Sequence, residues 1–463
     1  MERLTPLADA FLEAEDVDPV ASLAIGSLAI FEGPAPTFDE VVEAIGGRLP
    51  LIPRYRQKLR SVPLGLAPPA WVDDPDFDIR EHLREISVPS PGGKAEVGEL
   101  MSELMSVRMD RSRPLWEYWF WGGLPDGRWA LLSKVHHSVV DGVSGTDLYR
   151  LLLDPTPTQR PSVPDAWHPA PAEPIGRWTA EALRELVASP VHVTGALAHA
   201  ARTPRRMVRT TARTATGLLA LSGALRPVHT TSLSGPLEGG RRYAWTTVDL
   251  GDLRTVGAAY DATINDVALA IVTGGFRHLL MARGETPDAH ALRSLVPVST
   301  RKPGEESIPD NRVSLMLPFL PVDVSDPAER LATIRRRIRG LRGHHEPEAG
   351  TGITTAAELS PFPSVSWGLR LGWRLPQHSI STVTTNVPGP RSPLYALGRE
   401  LLELLPYVPI ADRVRVGVAM FSYRDSLTFG VTGDLGTTAD LDVLTSGIDD
   451  ALTELLDLVG RAG

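Results

Sequence analysis

The chain contains no cysteine, which excludes a disulfide framework, thiolate catalysis and Cys-ligated zinc or iron–sulfur centres. The same absence fits a reducing compartment, and the chain is read as cytoplasmic. Apolar runs are short, none approaching the roughly 18 residues that a membrane-crossing helix needs. The opening Met1-Glu2-Arg3-Leu4-Thr5-Pro6, followed by Asp9, Glu13 and Glu15, lacks the basic region and apolar run of a signal peptide. Positive charge is in deficit, with 47 Lys and Arg against 56 Asp and Glu and a net charge of -9, which argues against nucleic acid as a partner. Two catalytic signatures are also missing. There is no HExxH zinc pattern and no GxSxG nucleophile elbow; Gly142-Val143-Ser144-Gly145 has the wrong spacing.

What is present is ordinary globular material: 42% hydrophobic and 22% charged residues over 463 positions, enough for two or three domains. Ser22 to Phe31 reads as a buried strand, and Phe38 to Leu49 as a helix capped by Thr37 with Glu40 three residues on. Arg54, Arg56, Lys58 and Arg60 form a basic cluster whose plain reading is a solvated face. A helix spans Val97 to Met109, and the strands Tyr118 to Trp121 and Trp129 to Val135 form a hairpin through the loop Gly122-Gly123-Leu124-Pro125-Asp126-Gly127. Between Pro155 and Pro174 seven prolines accumulate, which predicts an extended linker.

Trp178 to Leu225 reads as broken helix. From Leu197 to Pro227 it carries Arg202, Arg205, Arg206, Arg209, Arg213 and Arg226 with no acidic residue, the pattern of a helix on an anionic bilayer or over an acidic protein surface. The second half opens with the alternating strand Arg241 to Asp249 and a short helix, Leu253 to Tyr260. A long helix starts at Thr263-Ile264-Asn265-Asp266 and runs through Leu280. Strands are expected at Leu292 to Val298, Val313 to Leu320, Ser381 to Asn386, Arg413 to Met420 and Leu427 to Thr432, with a polar loop from Arg301 to Asn311. Leu331, Ile334, Ile338 and Leu341 have helical spacing, and an amphipathic helix ends the chain. Alternating strands and helices in both halves predict an α/β fold.

One junction concentrates chemistry. Val135-His136-His137-Ser138-Val139-Val140-Asp141-Gly142 joins the strand Trp129 to Val135 to a helix expected from Ser144 to Leu153. A neutral-range imidazole suits general-base work, and a nearby carboxylate orients it or raises its basicity. A shared metal is disfavoured because adjacent side chains on an extended segment point to opposite faces. The bland alternative is a histidine pair that caps a strand; Gly142 tips the balance, since it permits a tight turn or close substrate approach.

These residues match a family. His136 to Gly142 fits the HHxxxDG motif of the CoA-dependent acyltransferases, shared with chloramphenicol acetyltransferase and peptide-synthetase condensation domains. Four further stretches narrow the resemblance. Pro114-Leu115-Trp116-Glu117 resembles a PLW element, Asn265-Asp266-Val267 an ND motif, Val296 to Arg301 a VPVSxR strand, and Asn386-Val387-Pro388-Gly389-Pro390 an NVPGP turn. Together they resemble the bacterial wax ester synthase/acyl-CoA:diacylglycerol acyltransferases. Leu4 to Leu12 is similar to that family's opening segment. Two departures stand out: no histidine precedes Gly26, and Arg424-Asp425 occupies a turn where the family tends to have glycine, a change expected to be neutral.

The resemblance implies two chloramphenicol-acetyltransferase-like domains joined by a crossover linker, with an active-site tunnel between them. The divisions are an N-terminal domain at 1–160, a Pro-rich and basic linker at 161–235 and a C-terminal domain at 236–463. Acyl-CoA is the implied co-substrate, with no permanently bound cofactor and no metal, and the acceptor is diacylglycerol or a fatty alcohol. His137 is the implied general base, with no acyl-enzyme; His136 supports it, and Asp141 holds the loop with an arginine among Arg54, Arg56 and Arg60. Gly142, Asn265 and Trp116 make up the implied substrate-binding set. Asn265 either contacts substrate and polarises its carbonyl or merely starts a helix, and Trp116 and Asn386 also read as packing and turn residues. Pro114, Leu115, Asp266, Arg301, Asn386 and Gly389 are motif residues with structural roles. Contact with a membrane or lipid-droplet surface, on the inner face, is the implied partner surface. Two other readings remain: a relative acting on another alcohol or an amine, and a lipid-binding or membrane-associated scaffold with little turnover. His344-His345 imitates the motif but has Ala349 at the aspartate position and reads as a solvated loop, and Asp425-Ser426-Leu427 reads as a hairpin turn.

Overall fold

The computed structural model describes residues 2–62, 67–140, 152–174, 176–180, 183–184, 227–299, 313–343 and 377–462. The first half runs β1 (Glu2–Arg3), α1 (Pro6–Val17), β2 (Ala24–Phe31), α2 (Phe38–Gly46), β3 (Gln57–Arg60), β4 (Ala70–Asp73), β5 (Leu83–Ser87), α3 (Lys94–Ser106), β6 (Trp116–Gly122) and β7 (Trp129–His136). The second half runs β8 (Arg241–Asp249), α4 (Leu250–Ala259), α5 (Ile264–Ala282), β9 (Ser294–Ser299), β10 (Val313–Met316), α6 (Pro327–Gly343), β11 (Thr382–Val387), β12 (Tyr395–Ala396), β13 (Arg399–Tyr407), β14 (Val416–Tyr423), β15 (Ser426–Asp434) and α7 (Leu441–Ala462).

Local chemistry sets the helix starts. Thr37 accepts from the Glu40 amide at 3.3 Å while the Glu40 carboxylate accepts from the Thr37 amide at 2.7 Å, closing the expected capping box on α2. Thr263 and Asp266 do the same for α5 at 3.2 and 3.0 Å. Asp249 caps α4, so that helix begins three residues earlier than the spacing of apolar residues indicated.

Two mixed six-stranded sheets form the frame, in the orders β12-β13-β2-β7-β6-β5 and β10-β9-β11-β14-β15-β8. Helices cover them, giving the α/β class expected. The first core gathers Trp116, Trp121, Trp129, Phe31, Met101 and Met105. The second packs α5 and α7 on β14 and β15 through Phe276, Leu279, Leu444, Ile448, Val418 and Phe429.

The two sheets are tied by an exchange of chain. β13, which lies within 236–463, pairs with β2 of the first sheet, matching Leu401 to Phe31 and Tyr407 to Gly26. It crosses β15 so closely that a Cβ on Gly430 would lie 1.8 Å from the Pro406 carbonyl oxygen. Tyr243 of β8 donates to that same oxygen at 2.8 Å. The β14–β15 hairpin turns at Arg424, which takes a left-handed φ of 52° where glycine is the easy residue. Its guanidinium reaches Glu400 of β13 at 2.5 Å, so the departure at this turn ties the hairpin to the exchanged strand.

The basic cluster is not the solvated face expected. Arg56 is buried and donates to Asp165 at 2.9 Å, Lys58 pairs with Asp74 at 2.8 Å, and Arg54 lies 4.4 Å over the Trp71 ring. Arg56 and Arg60 lie 5.0 and 5.4 Å over Trp167 and Trp178. The reason is tertiary: the segment after Pro155 lays Asp165 and Trp167 over Arg56 and Trp178 over Arg60, while Asp74 and Trp71 of the first half meet Lys58 and Arg54. The linker is therefore strapped to the first half, further held by Arg48 to Asp154 at 2.9 Å and by the Ala170 amide to Asp73 at 3.0 Å.

The helix expected from Ser144 to Leu153, the basic stretch from 197 to 226, the loop from Arg301 to Asn311 and the His344-His345 segment lie outside the described residues, apart from Leu152 and Leu153. Among the described residues no helix is long and apolar enough to cross a membrane.

Candidate active site

β7 delivers the two histidines. It is pinned along one edge to β6 and along the other to β2, with Ala24 opposite His136. Beneath it the buried Lys134 ammonium donates to the carbonyls of Leu104 and Val107, at 2.9 and 2.6 Å, and so caps the C-terminus of α3. The PLW stretch backs the same strand end: Leu115 is buried and its carbonyl accepts from the His136 amide at 3.0 Å. Pro114 is buried beside it.

His136 is 1% exposed. Its Nδ1 accepts from the Ser138 amide at 3.1 Å and lies 2.7 Å from the Ser138 hydroxyl, so the ring caps the single turn His137–Val139 that follows. A backbone N–H can only donate, so Nδ1 is the unprotonated nitrogen and Nε2 carries the hydrogen. Nε2 faces Glu15 Oε1 at 3.5 Å, beyond normal hydrogen-bond range.

Glu15 comes from α1 and is 3% exposed. Its carboxylate accepts from the Leu23 amide at 2.6 Å and from Arg111 at 3.0 Å. Burial alone would raise its pKa; the His136 imidazole, the Leu23 amide and Arg111 outweigh that and hold it at about 2. Arg108 grips the end of the same helix, donating to the carbonyls of Ala21 at 2.7 Å, Glu15 and Asp18.

His137 lies just beyond the strand end, at the first position of the turn His137–Val139. It is half-buried, its amide donates to the Leu23 carbonyl at 3.2 Å, and its ring stacks on Phe11 of α1 with centroids 4.1 Å apart. One helix thus fixes both histidines, Glu15 against the buried ring and Phe11 against the accessible one. Among the described residues no group of three or more His, Asp or Glu side chains could hold a metal ion.

A second grouping forms in the other half. Asn386, at the end of β11, donates from Nδ2 to Asn265 Oδ1 at 3.0 Å, joining two motifs 121 residues apart. Asp266 is buried and spent on the α5 cap. Gly389 leaves no room for a side chain, since a Cβ would sit 2.0 Å from the Ser422 carbonyl oxygen. Trp116 is not placed to contact a substrate: it is 0% exposed, stacked between Tyr55 and His82, and its indole nitrogen donates to the Tyr55 carbonyl at 2.7 Å. Asp141, Gly142 and Arg301 lie outside the described residues.

Glu15, Phe11 and Ser138 were not singled out from the sequence. The available signal was the four-residue spacing of Phe11 and Glu15, which puts both on one face of a helix. That this face meets the strand end carrying His136 has no sequence signature.

The wax ester synthase/diacylglycerol acyltransferase catalytic domain matches residues 4–268, and the C-terminal domain of the same family matches residues 310–456. A probable diacylglycerol O-acyltransferase of Mycobacterium tuberculosis (strain H37Rv) is 42% identical over 476 residues, spanning 100% of this chain and 97% of that protein. A second M. tuberculosis protein, a putative diacylglycerol O-acyltransferase, is 32% identical over 459 residues, 99% of this chain and 92% of its own length. Among solved structures, the wax ester synthase/diacylglycerol acyltransferase from Marinobacter aquaeolei VT8 superposes with a TM-score of 0.69 at 26% identity, over 99% of this chain and 100% of that one. The first condensation domain of the calcium-dependent antibiotic synthetase shares the fold alone, with a TM-score of 0.62 at 16% identity over 99% of this chain and 96% of that one.

Proposed function

The chain belongs to the wax ester synthase/diacylglycerol acyltransferase family, and we propose that it moves a long-chain acyl group from acyl-CoA to the hydroxyl of diacylglycerol or a fatty alcohol. His137 is the general base in this reading. Its ring takes the hydroxyl proton as the acceptor oxygen attacks the thioester carbonyl; the tetrahedral adduct collapses, the C–S bond breaks, and the proton passes to the departing CoA sulfur. The ester and free CoA are the products, and no acyl-enzyme forms.

The observation that carries this reading is the unequal treatment of the two rings. His136 is sealed, its Nδ1 engaged by Ser138 and its Nε2 turned to the buried Glu15 carboxylate, whereas His137 is half-exposed and held against Phe11. A base needs a fixed ring with one face of access, and only His137 has it. Asp141 holds the loop beyond the turn, and Gly142 lets substrate approach. The site lies in a tunnel between the domains at 1–160 and 236–463, with 161–235 as the crossover linker. The arginines from 202 to 226 rest on an anionic membrane or lipid-droplet surface at the inner face of the membrane, which keeps the lipid acceptor within reach.

The test is release of CoA from long-chain acyl-CoA by the purified protein, with hexadecanol, diacylglycerol and amines offered separately. Release with either alcohol supports the proposal; none with any alcohol overturns it. His137→Ala is expected to abolish turnover, and unchanged turnover removes the histidine from its role.

A further inference from the structure

We propose that Asn386 is a positioning residue that sets the side-chain amide of Asn265, so that Asn265 meets the acyl carbonyl oxygen as a hydrogen-bond donor. This rests on the acyl-transfer reading above and goes on to say which atom of Asn265 does the work.

The backbones of both residues are fixed. Asn265 sits in the first turn of α5, where the Thr263–Asp266 capping box determines the helix start. Asn386 lies opposite Met420 in the parallel β11–β14 register, three residues before Gly389, whose amide donates to the Ser422 hydroxyl at 3.1 Å. What remains free is the half-turn of each amide, which exchanges an acceptor oxygen for a donor nitrogen.

In the structure the pair takes one of the two arrangements. Asn386 Nδ2 donates to Asn265 Oδ1 at 3.0 Å, which engages the acceptor end of Asn265. Its amide nitrogen donates to none of the described residues, although the residue is half-buried. A pre-set N–H donor is what a carbonyl oxygen gaining negative charge requires, and an oxygen in the same place would oppose that charge. Turning the amide over therefore converts a stabilising contact into a repulsive one without moving the backbone.

Asn386→Asp performs that inversion with an isosteric side chain. The carboxylate can only accept, so Asn265 must turn its nitrogen towards it and leave its oxygen facing the substrate. Asn386→Ala removes the tether and leaves the Asn265 amide free to take either orientation. The expected order of kcat is wild type, then Asn386→Ala, then Asn386→Asp, with the aspartate variant down about 10²-fold, the scale for loss of one oxyanion donor. KM for acyl-CoA should stay within about threefold and the thermal midpoint of Asn386→Asp should stay near wild type, which a residue needed only for folding would not allow.

Equal kcat values for the two variants, a more active aspartate variant, or a change confined to KM would each overturn the proposal. His137→Ala is assayed alongside. If that variant is inactive while Asn386→Asp matches wild type, the positioning role alone fails; if His137→Ala keeps full turnover, the general-base reading fails first.

Discussion

Glu15 Oε1 and His136 Nε2 face each other at 3.5 Å in an interior where the two residues are 3% and 1% exposed. The carboxylate is also the acceptor for the Leu23 amide and for Arg111. Glu15→Ala would leave the buried Leu23 amide and the Arg111 guanidinium unmatched and open a cavity in their place, a loss of about 3–5 kcal/mol. Glu15→Gln keeps the volume and one acceptor, so about 1.5–3 kcal/mol is expected, the worth of a hydrogen bond to a charged group. Because His136 caps the turn that carries His137, the folded glutamine variant should also turn over more slowly, by roughly 10–100-fold, as loss of sub-ångström positioning does. Urea unfolding and CoA release on the same preparations check both expectations; full activity in a destabilised Glu15→Gln protein would cut the link between α1 and catalysis.

The same carboxylate predicts an acid limb. Its pKa falls from the ordinary 4.5 to about 2 on folding. A depressed carboxyl contributes stability that is complete above the unfolded value and is lost as pH drops through the folded one, here from about pH 5 down to about 2. The amount is about 3 kcal/mol at neutral pH. Glu15→Gln lacks this titration, so the gap between the two proteins should narrow steadily as pH falls. Urea midpoints at pH 7, 5, 4 and 3 measure it, and a gap independent of pH would rule the assignment out.

Gly430 tests the contact that holds the two sheets together. A methyl there would lie 1.8 Å from the Pro406 carbonyl oxygen and 2.7 Å from the Tyr243 hydroxyl. The nearer atom belongs to backbone, and backbone of an exchanged strand cannot step aside. Gly430→Ala is expected to cost about 1–3 kcal/mol or more by overpacking. A methyl added at Gly340 in α6 would meet nothing within 4 Å, so Gly340→Ala should instead stabilise by up to about 1 kcal/mol through helix propensity. A lowered urea midpoint for the first and a raised one for the second, at unchanged slope, is the expected pair of results.

Much of this molecule is written in short-range patterns. The apolar run Trp129 to Val135, the alternating strand Arg241 to Asp249, the cap residues Thr37 and Thr263, and the apolar spacing from Leu331 to Leu341 each act within a few residues, so they can be read without a partner. The strand Arg399–Tyr407 was missed because its pattern, with Leu401 buried among half-buried neighbours from Arg399 to Glu403 and every residue buried from Leu404 to Tyr407, is set by pairing with β2 some 370 residues earlier. The candidate site divides in the same way. His136 and His137 announce themselves by adjacency, and Asn265 and Asn386 by resemblance. Glu15 looks like one more surface acid until α1 folds onto β7, and Arg56 looks like part of a solvated patch until the linker is laid over it.

That linker gives the last test. Arg56 lies at the bottom of the strap with its side chain 6% exposed, while its partner Asp165 is 46% exposed. The guanidinium both forks onto the carboxylate, with Nη1 at 2.9 Å from Oδ1, and lies 5.0 Å from the Trp167 ring centroid. Asp165→Asn removes only a largely exposed charge, so global stability should change by no more than about 1 kcal/mol. Arg56→Lys keeps the charge but loses the planar fork and the stack, which a compact ammonium cannot reproduce. Trp167 should then leave the surface more often, and chymotrypsin should cleave after it several-fold faster than in the wild type. Arg56→Ala should be cleaved faster still and lose global stability as well, because the buried stem is removed along with the charge. Cleavage of Arg56→Lys at the wild-type rate would show that charge alone holds the strap, and the fork and ring contact would have no part in it.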